Sequence, residues 1–127
     1  MTSGHLPMLA GQEGLGERAA ALLGAPVLEV REAADEVTLL VAREGVADVL
    51  KALRDAPDFA FEQLMDISGV DYPERAERFE VNYHLLSLRH NSRLRVKVVT
   101  DEMLPVPSVV SLFPNAGWYE RETYDCF

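Results

Sequence analysis

Hydrophobic and polar residues recur along this chain with two different periods, and the switches between them mark its elements. Leu15, Ala19, Leu22 and Leu23 fall at helical spacing, predicting a modest helix over 12–23 that Gly24 and Pro26 stop. Period two takes over near 27–31 (VLEVR) and 36–42 (EVTLLVA), where Val37, Leu39 and Val41 share one face of the second strand. The strongest helical stripe lies at 44–55 (EGVADVLKALRD), with Val46, Val49, Leu50 and Leu53 at i, i+3, i+4 and i+7. Pro57 drives Ala56 toward extended backbone and ends that helix.

Strand character then dominates. FEQLMDISGVDYP predicts a strand over 62–72, with a bulge where Gly69 lets it bend, closed by Pro73. RFEVNYHLLSLR turns Phe79, Val81, Tyr83 and Leu85 one way and Glu80, Asn82 and His84 the other. HNS supplies a turn in which Asn91 tolerates positive φ. RLRVKVVT returns with Leu94, Val96 and Val98 facing in and Arg93, Arg95 and Lys97 facing out. Residues 101–117 hold three prolines and read as loop, with one helical turn at 108–112, before a last helix near Asn115, a plausible N-cap. Helices alternating with hairpins predict an α+β fold: a two-layer domain with a mixed, largely antiparallel sheet and helices packed mainly on one face. Residues 1–10 read as a loose lead-in and 11–127 as a single domain.

Composition narrows the function classes. The 127 residues are 48% apolar and 26% charged, enough for one core and too few for two. No run approaches the roughly 18 apolar residues of a membrane span, so the chain is expected to be soluble. A net charge of −9 argues against nucleic acid and anionic lipid as general partners. Cys126 is alone, which rules out an intrachain disulfide, a four-cysteine iron–sulfur cluster and a cysteine-rich zinc site within this chain. The N-terminus lacks the basic and apolar regions of a targeting signal, so none is read there.

Few residues suggest chemistry. Gly11, Gly14 and Gly16 have the wrong spacing for a dinucleotide loop and follow no strand. His84 shares a strand face with Glu80 but lies about 13 Å from it, so solvated histidines are expected at 5, 84 and 90. Ser68 lacks the G-x-S-x-G elbow. Asp66 and Asp71 are expected to cap backbone or to bind Arg75 or Arg78 rather than act as an acid–base pair. Arg93, Arg95 and Lys97, with Arg89 across the turn, form a basic stripe on an acidic chain: a solvated strand face, or a contact to an acidic partner.

The C-terminal GWYERETYDCF is the densest cluster. On a helix Trp118, Glu122 and Asp125 share one face, Tyr119, Thr123 and Cys126 another, and Arg121 can pair with Asp125. Aromatics all round with charges between them point to an interface with buried, paired charges.

These residues match a known pattern. SVVSLFPNAGWYERETYDCF (108–127) resembles the signature of the 30-kilodalton subunit family of proton-translocating NADH:quinone oxidoreductase, respiratory complex I. Glu120, Arg121, Glu122, Tyr124 and Asp125 match its E-R-E-x-Y-D core, with Ser108–Val109, Leu112–Phe113–Pro114 and Trp118 placed as in the family. The likeness runs from about Phe59 to Phe127, Asp66 and Asp71 included. It implies a non-catalytic subunit of the hydrophilic arm, docked on the quinone-site subunit and its neighbours, with no cofactor of its own. FMN and iron–sulfur clusters would belong to partner subunits. Trp118, Glu120, Arg121, Glu122, Tyr124 and Asp125 would lock an interface or the core, and the location implied is the cytoplasmic face of the bacterial inner membrane, peripheral to it. Family members run on past Asp-x-Phe into Gly-Ile and Gly-His-Pro, absent here, so the last helix is expected to be cut while running, in a shortened chain. The equivalent subunit of a related hydrogenase or formate-linked complex is the alternative. A stand-alone enzyme using Glu122 and Asp125 is a remote one.

Overall fold

The computed structural model describes residues 14–33, 36–76, 79–100 and 108–125, the last four by backbone alone. Its elements are α1 (Leu15–Leu23), β1 (Val27–Ala33), β2 (Glu36–Val41), α2 (Val46–Asp55), β3 (Gln63–Asp71), β4 (Phe79–Ser87), β5 (Ser92–Thr100) and α3 (Ala116–Asp125). The strands form one sheet in the order β1-β2-β5-β4-β3. Every neighbouring pair is antiparallel except β2–β5. The core fills one side of this sheet. Leu39, Val81, Tyr83, Leu85 and Val96 meet the α2 stripe of Val46, Val49, Leu50 and Leu53, with Phe61, Val109, Phe113 and Ala116 completing the layer. The α+β class and the one-sided helix layer therefore stand as the periodicity predicts.

Local chemistry explains where elements begin and stop. Gly24 ends α1 at a φ of 70°, a positive value that strains any residue with a Cβ, and its N–H closes on the Ala20 carbonyl at 2.9 Å. A single 3-10 turn, Arg43–Gly45, opens the predicted second helix, and Ala56 is extended ahead of Pro57. The β4–β5 hairpin closes on Ser87 opposite Ser92, with Asn91 at φ 52° as its turn requires. The single helical turn expected near 108–112 is present: Leu112 and Phe113 both donate to the Val109 carbonyl.

Three expectations are corrected. Leu22 does not join the buried side of α1, which runs through Leu15, Gly16 and Ala19. The helix leans on the sheet through Gly16, where a Cβ would sit only 2.6 Å from a Val30 methyl, and this contact leaves Leu22 in solvent. The bulge in β3 falls at Met65, between Leu64 and Asp66, whereas Gly69 pairs in register with Val81. The first strand runs two residues further, to Ala33, because β2 offers a partner up to Glu36. Glu80 and Asn82 face away from the core as the alternation predicts, and both are nonetheless buried. The Lys97 ammonium of β5 comes within 3.5 Å of Glu80, a cross-strand approach that one-dimensional alternation does not contain.

The face of the sheet opposite the core carries Glu36, Thr38 and Leu40 of β2, Arg95 and Lys97 of β5, Glu80, Asn82 and His84 of β4, and Asp66 and Ser68 of β3. The described helices all pack on the other side. No described helix is long and apolar enough to cross a membrane.

Candidate functional site

The C-terminal region is built on a buried carboxylate. Ala116 and Glu120 are four apart on α3 and therefore share a face, which is the face turned to the core. Glu120 is only 9% exposed, and its two oxygens are occupied: Oε1 accepts from Ser108 Oγ at 2.8 Å, Oε2 from the Val109 N–H at 2.7 Å. Ser108 Oγ in turn accepts from the Val110 N–H at 3.3 Å. One side chain thus fastens the loop before α3 to the helix it precedes.

Two further ties hold this unit to the body of the domain. Arg54, near the end of α2, donates from Nη1 to the Leu112 carbonyl at 3.0 Å. Its Nε bonds Asp55 at 2.8 Å, which raises the arginine's proton affinity and holds the Asp55 carboxyl below its ordinary value. Asn115 occupies the position before α3, but its Nδ2 donates to the Leu64 carbonyl at 2.9 Å, a link to β3 where a helix cap was expected.

The outer side of α3 is different. Trp118 lies opposite the buried Ala116–Glu120 arc and is 63% exposed. Val110, also exposed, reaches Gly117, where an added Cβ would be 3.3 Å from its methyl. Arg121 is exposed on the same outer side. Glu120 thus turns away from Trp118 and Arg121, toward Ser108 and Val109. The helix backbone carries Glu122, Tyr124 and Asp125, whose side chains lie outside the description, as do Cys126, Arg78 and His5.

The basic stripe is not a bare one. Arg95 Nη2 meets Glu36 Oε1 at 2.6 Å across the β2–β5 boundary. Lys97 approaches Glu80 at 3.5 Å, and Arg75, stacked 3.8 Å from the Tyr72 ring, approaches the same oxygen at 3.7 Å. Arg93 also has a partner. Arg75 thus takes Glu80 where Asp66 or Asp71 was expected, while Asp66 faces His84 at 3.6 Å. Neither remaining histidine in the description is simply solvated: His90 Nε2 lies 2.6 Å from the Pro57 carbonyl, tying the hairpin turn to the end of α2. Among the described residues no group of three or more His, Cys, Asp or Glu is placed to hold a metal ion.

Sequence reasoning missed the Glu80 hub and the Arg54 tie, because both depend on residues brought together from distant strands and loops. The inward turn of Glu120 did leave a signal, its i, i+4 relation to the small residue Ala116.

What this geometry defines is an α+β domain that presents worked surfaces, a tryptophan-bearing helix face and a charge-paired sheet face. The family described as "Respiratory-chain NADH dehydrogenase, 30 Kd subunit" matches residues 39–127, beginning upstream of the stretch that carries the resemblance by motif. The chain belongs to this family. An NADH-quinone oxidoreductase subunit of Methylobacterium sp. (strain 4-46) is 55% identical to it over 115 residues, 91% of this chain and 54% of that protein. The protein of the same name from Novosphingobium aromaticivorans is 54% identical over 121 residues, 95% of this chain and 38% of that one. The chain spans about half the length of the curated relatives it matches, or less. Among solved structures, a chain of the membrane-bound sulfane sulfur reductase (MBS), an archaeal respiratory membrane complex, superposes with a TM-score of 0.73 at 23% identity. The match covers 91% of this chain and 66% of that one, a likeness of fold.

Proposed function

We propose that the chain is a non-catalytic subunit of the hydrophilic arm of a proton-translocating NADH:quinone oxidoreductase, docking on the quinone-site subunit and its neighbours. It would sit peripherally on the cytoplasmic face of a bacterial inner membrane. FMN and iron–sulfur clusters reside in the partner subunits under this reading, and electrons pass through them rather than through this chain. The names of relatives about half identical support the assignment, and set it ahead of the equivalent subunit of a hydrogenase or formate-linked complex. The observation that carries docking is Trp118, held out on the far side of α3 from its buried arc. A large exposed aromatic on an outer helix face that also carries the exposed Arg121 has the composition of an interface hot spot.

Tagged chain, extracted from source membranes in mild detergent, should migrate on a native gel with NADH-oxidising activity and with flavin- and iron-bearing subunits. Trp118→Ala should lower the assembled fraction at least about tenfold, as truncation of a hot-spot residue does. The thermal midpoint of the free chain should barely move, because the ring contributes little to its own fold. Wild-type chain migrating alone would refute the subunit assignment. A Trp118→Ala variant that assembles normally would move docking away from α3.

A further inference from the structure

β1 forms one margin of the sheet and, among the described elements, pairs with β2 alone. A strand in that position offers its outer row of N–H and C=O groups to another strand, and proteins guard such edges with bulges and charged side chains. β1 has both, a bulge at Leu28 and charges at Glu29, Arg31 and Glu32. Its charges differ from an ordinary guard in sign and placement. Glu29 and Arg31 flank Val30 on the open face of the sheet, with side chains 45% and 69% exposed. Within the chain they bond each other at 2.7 Å, an exposed pair that holds little energy and can exchange partners.

A second β1 laid antiparallel along this edge, with the helices of both copies on the same side, sets one residue opposite its own copy, and that choice fixes every other pair. Centred on Glu29, Arg31 or Glu32, the register opposes two like charges. Centred on Val30, it sets Glu29 opposite Arg31 on both sides of the axis and Val30 opposite Val30. The three central pairs then lie clear of the bulge at Leu28. The helix layer fits the same register. α1 packs on both β1 and β2, so with strands about 4.8 Å apart the two α1 axes would run roughly 10 Å apart, the spacing of packed helices. Leu22 on α1 and Leu28 on β1, 47% and 64% exposed, are apolar groups available to such a contact.

We propose that the β1 edge binds a second copy of this chain, β1 against β1 in the register centred on Val30, joining the two sheets into one. Each Glu29 meets the other copy's Arg31, so two cross-strand ion pairs select the register that the backbone alone leaves open. The proposal concerns the chain on its own and does not rest on the subunit reading.

Sedimentation equilibrium of the purified full chain over a concentration series tests it, with wild type compared to Glu29→Arg, Arg31→Glu and the double variant Glu29→Arg/Arg31→Glu. Wild type should show a monomer–dimer equilibrium. Each single variant places like charges opposite one another on both sides of the axis and should weaken association about tenfold or more. The double variant restores opposite charges at both positions and should recover the wild-type constant. That recovery separates pairing from damage to the fold, because two disruptive changes would add where two exchanged charges cancel. A wild-type chain that stays monomeric throughout would overturn the proposal. So would a dimer that the single variants leave unchanged, or one that the double variant fails to restore. The native-gel result for the subunit reading is unaffected by any of these outcomes.

Discussion

Glu120 stands in the middle of a charged run, Glu120–Arg121–Glu122, yet its carboxylate accepts from Ser108 and Val109 inside the protein. Replacing it with Ala leaves the Val109 N–H without an acceptor in a residue that has no solvent exposure. The expected loss is about 1–3 kcal/mol of folding stability, the usual penalty for stranding a buried donor. Chemical denaturation of the Glu120→Ala chain checks this through its midpoint. Glu120→Gln, which retains an acceptor for Val109 and a donor toward Ser108, should lose less. Equal midpoints for Glu120→Ala and wild type would show that the loop does not depend on this tie.

Elements were legible in proportion to how local their causes are. The α2 stripe of Val46, Val49, Leu50 and Leu53 is buried as its spacing predicts, and the β4–β5 hairpin turns at Asn91 where its sequence places the turn. Contacts between elements were not legible. Gly16 gave no sign that Val30 and Glu32 would press on α1, and Gly69 invited a bulge that the strand instead makes at Met65. The Gly16 contact has a measurable consequence. Alanine is the better helix former by about 1 kcal/mol, so an exposed Gly→Ala change should stabilise. Here the new Cβ would lie 2.6 Å from Val30 Cγ1 and 2.9 Å from Glu32 Oε2. Overpacking of this kind costs about 1–3 kcal/mol and should reverse the sign. A Gly16→Ala chain with a lower thermal midpoint bears this out, and a higher one would mean that β1, an edge strand, gives way easily.

At the scale of the molecule, the net charge of −9 hides a sheet face on which opposite charges are interleaved. The sequence exposes Arg93, Arg95 and Lys97 as a stripe, because alternation along one strand is visible there. It cannot expose Glu36 and Glu80 as their counterparts, because those arrive from neighbouring strands, Glu36 from 59 residues away. The same limit separates Trp118, which is exposed, from Glu120, two residues later, which is buried. Motif resemblance groups them, and only packing divides them.

The one parallel junction in the sheet also has a consequence for how the chain folds. β1 with β2 is one local hairpin, and β3–β4–β5 is a run of antiparallel strands in sequence order, so each can form over short loops. Joining them requires closing the long β2-to-β5 separation, where register holds only over Thr38–Leu40 against Arg95–Lys97. Such distant pairing carries the larger entropy of loop closure and is expected to form late and open early. Native-state hydrogen exchange should therefore find the β2 amides bonded to β5 less protected than those between β4 and β5. Equal protection would mean that the two halves open together as one cooperative unit.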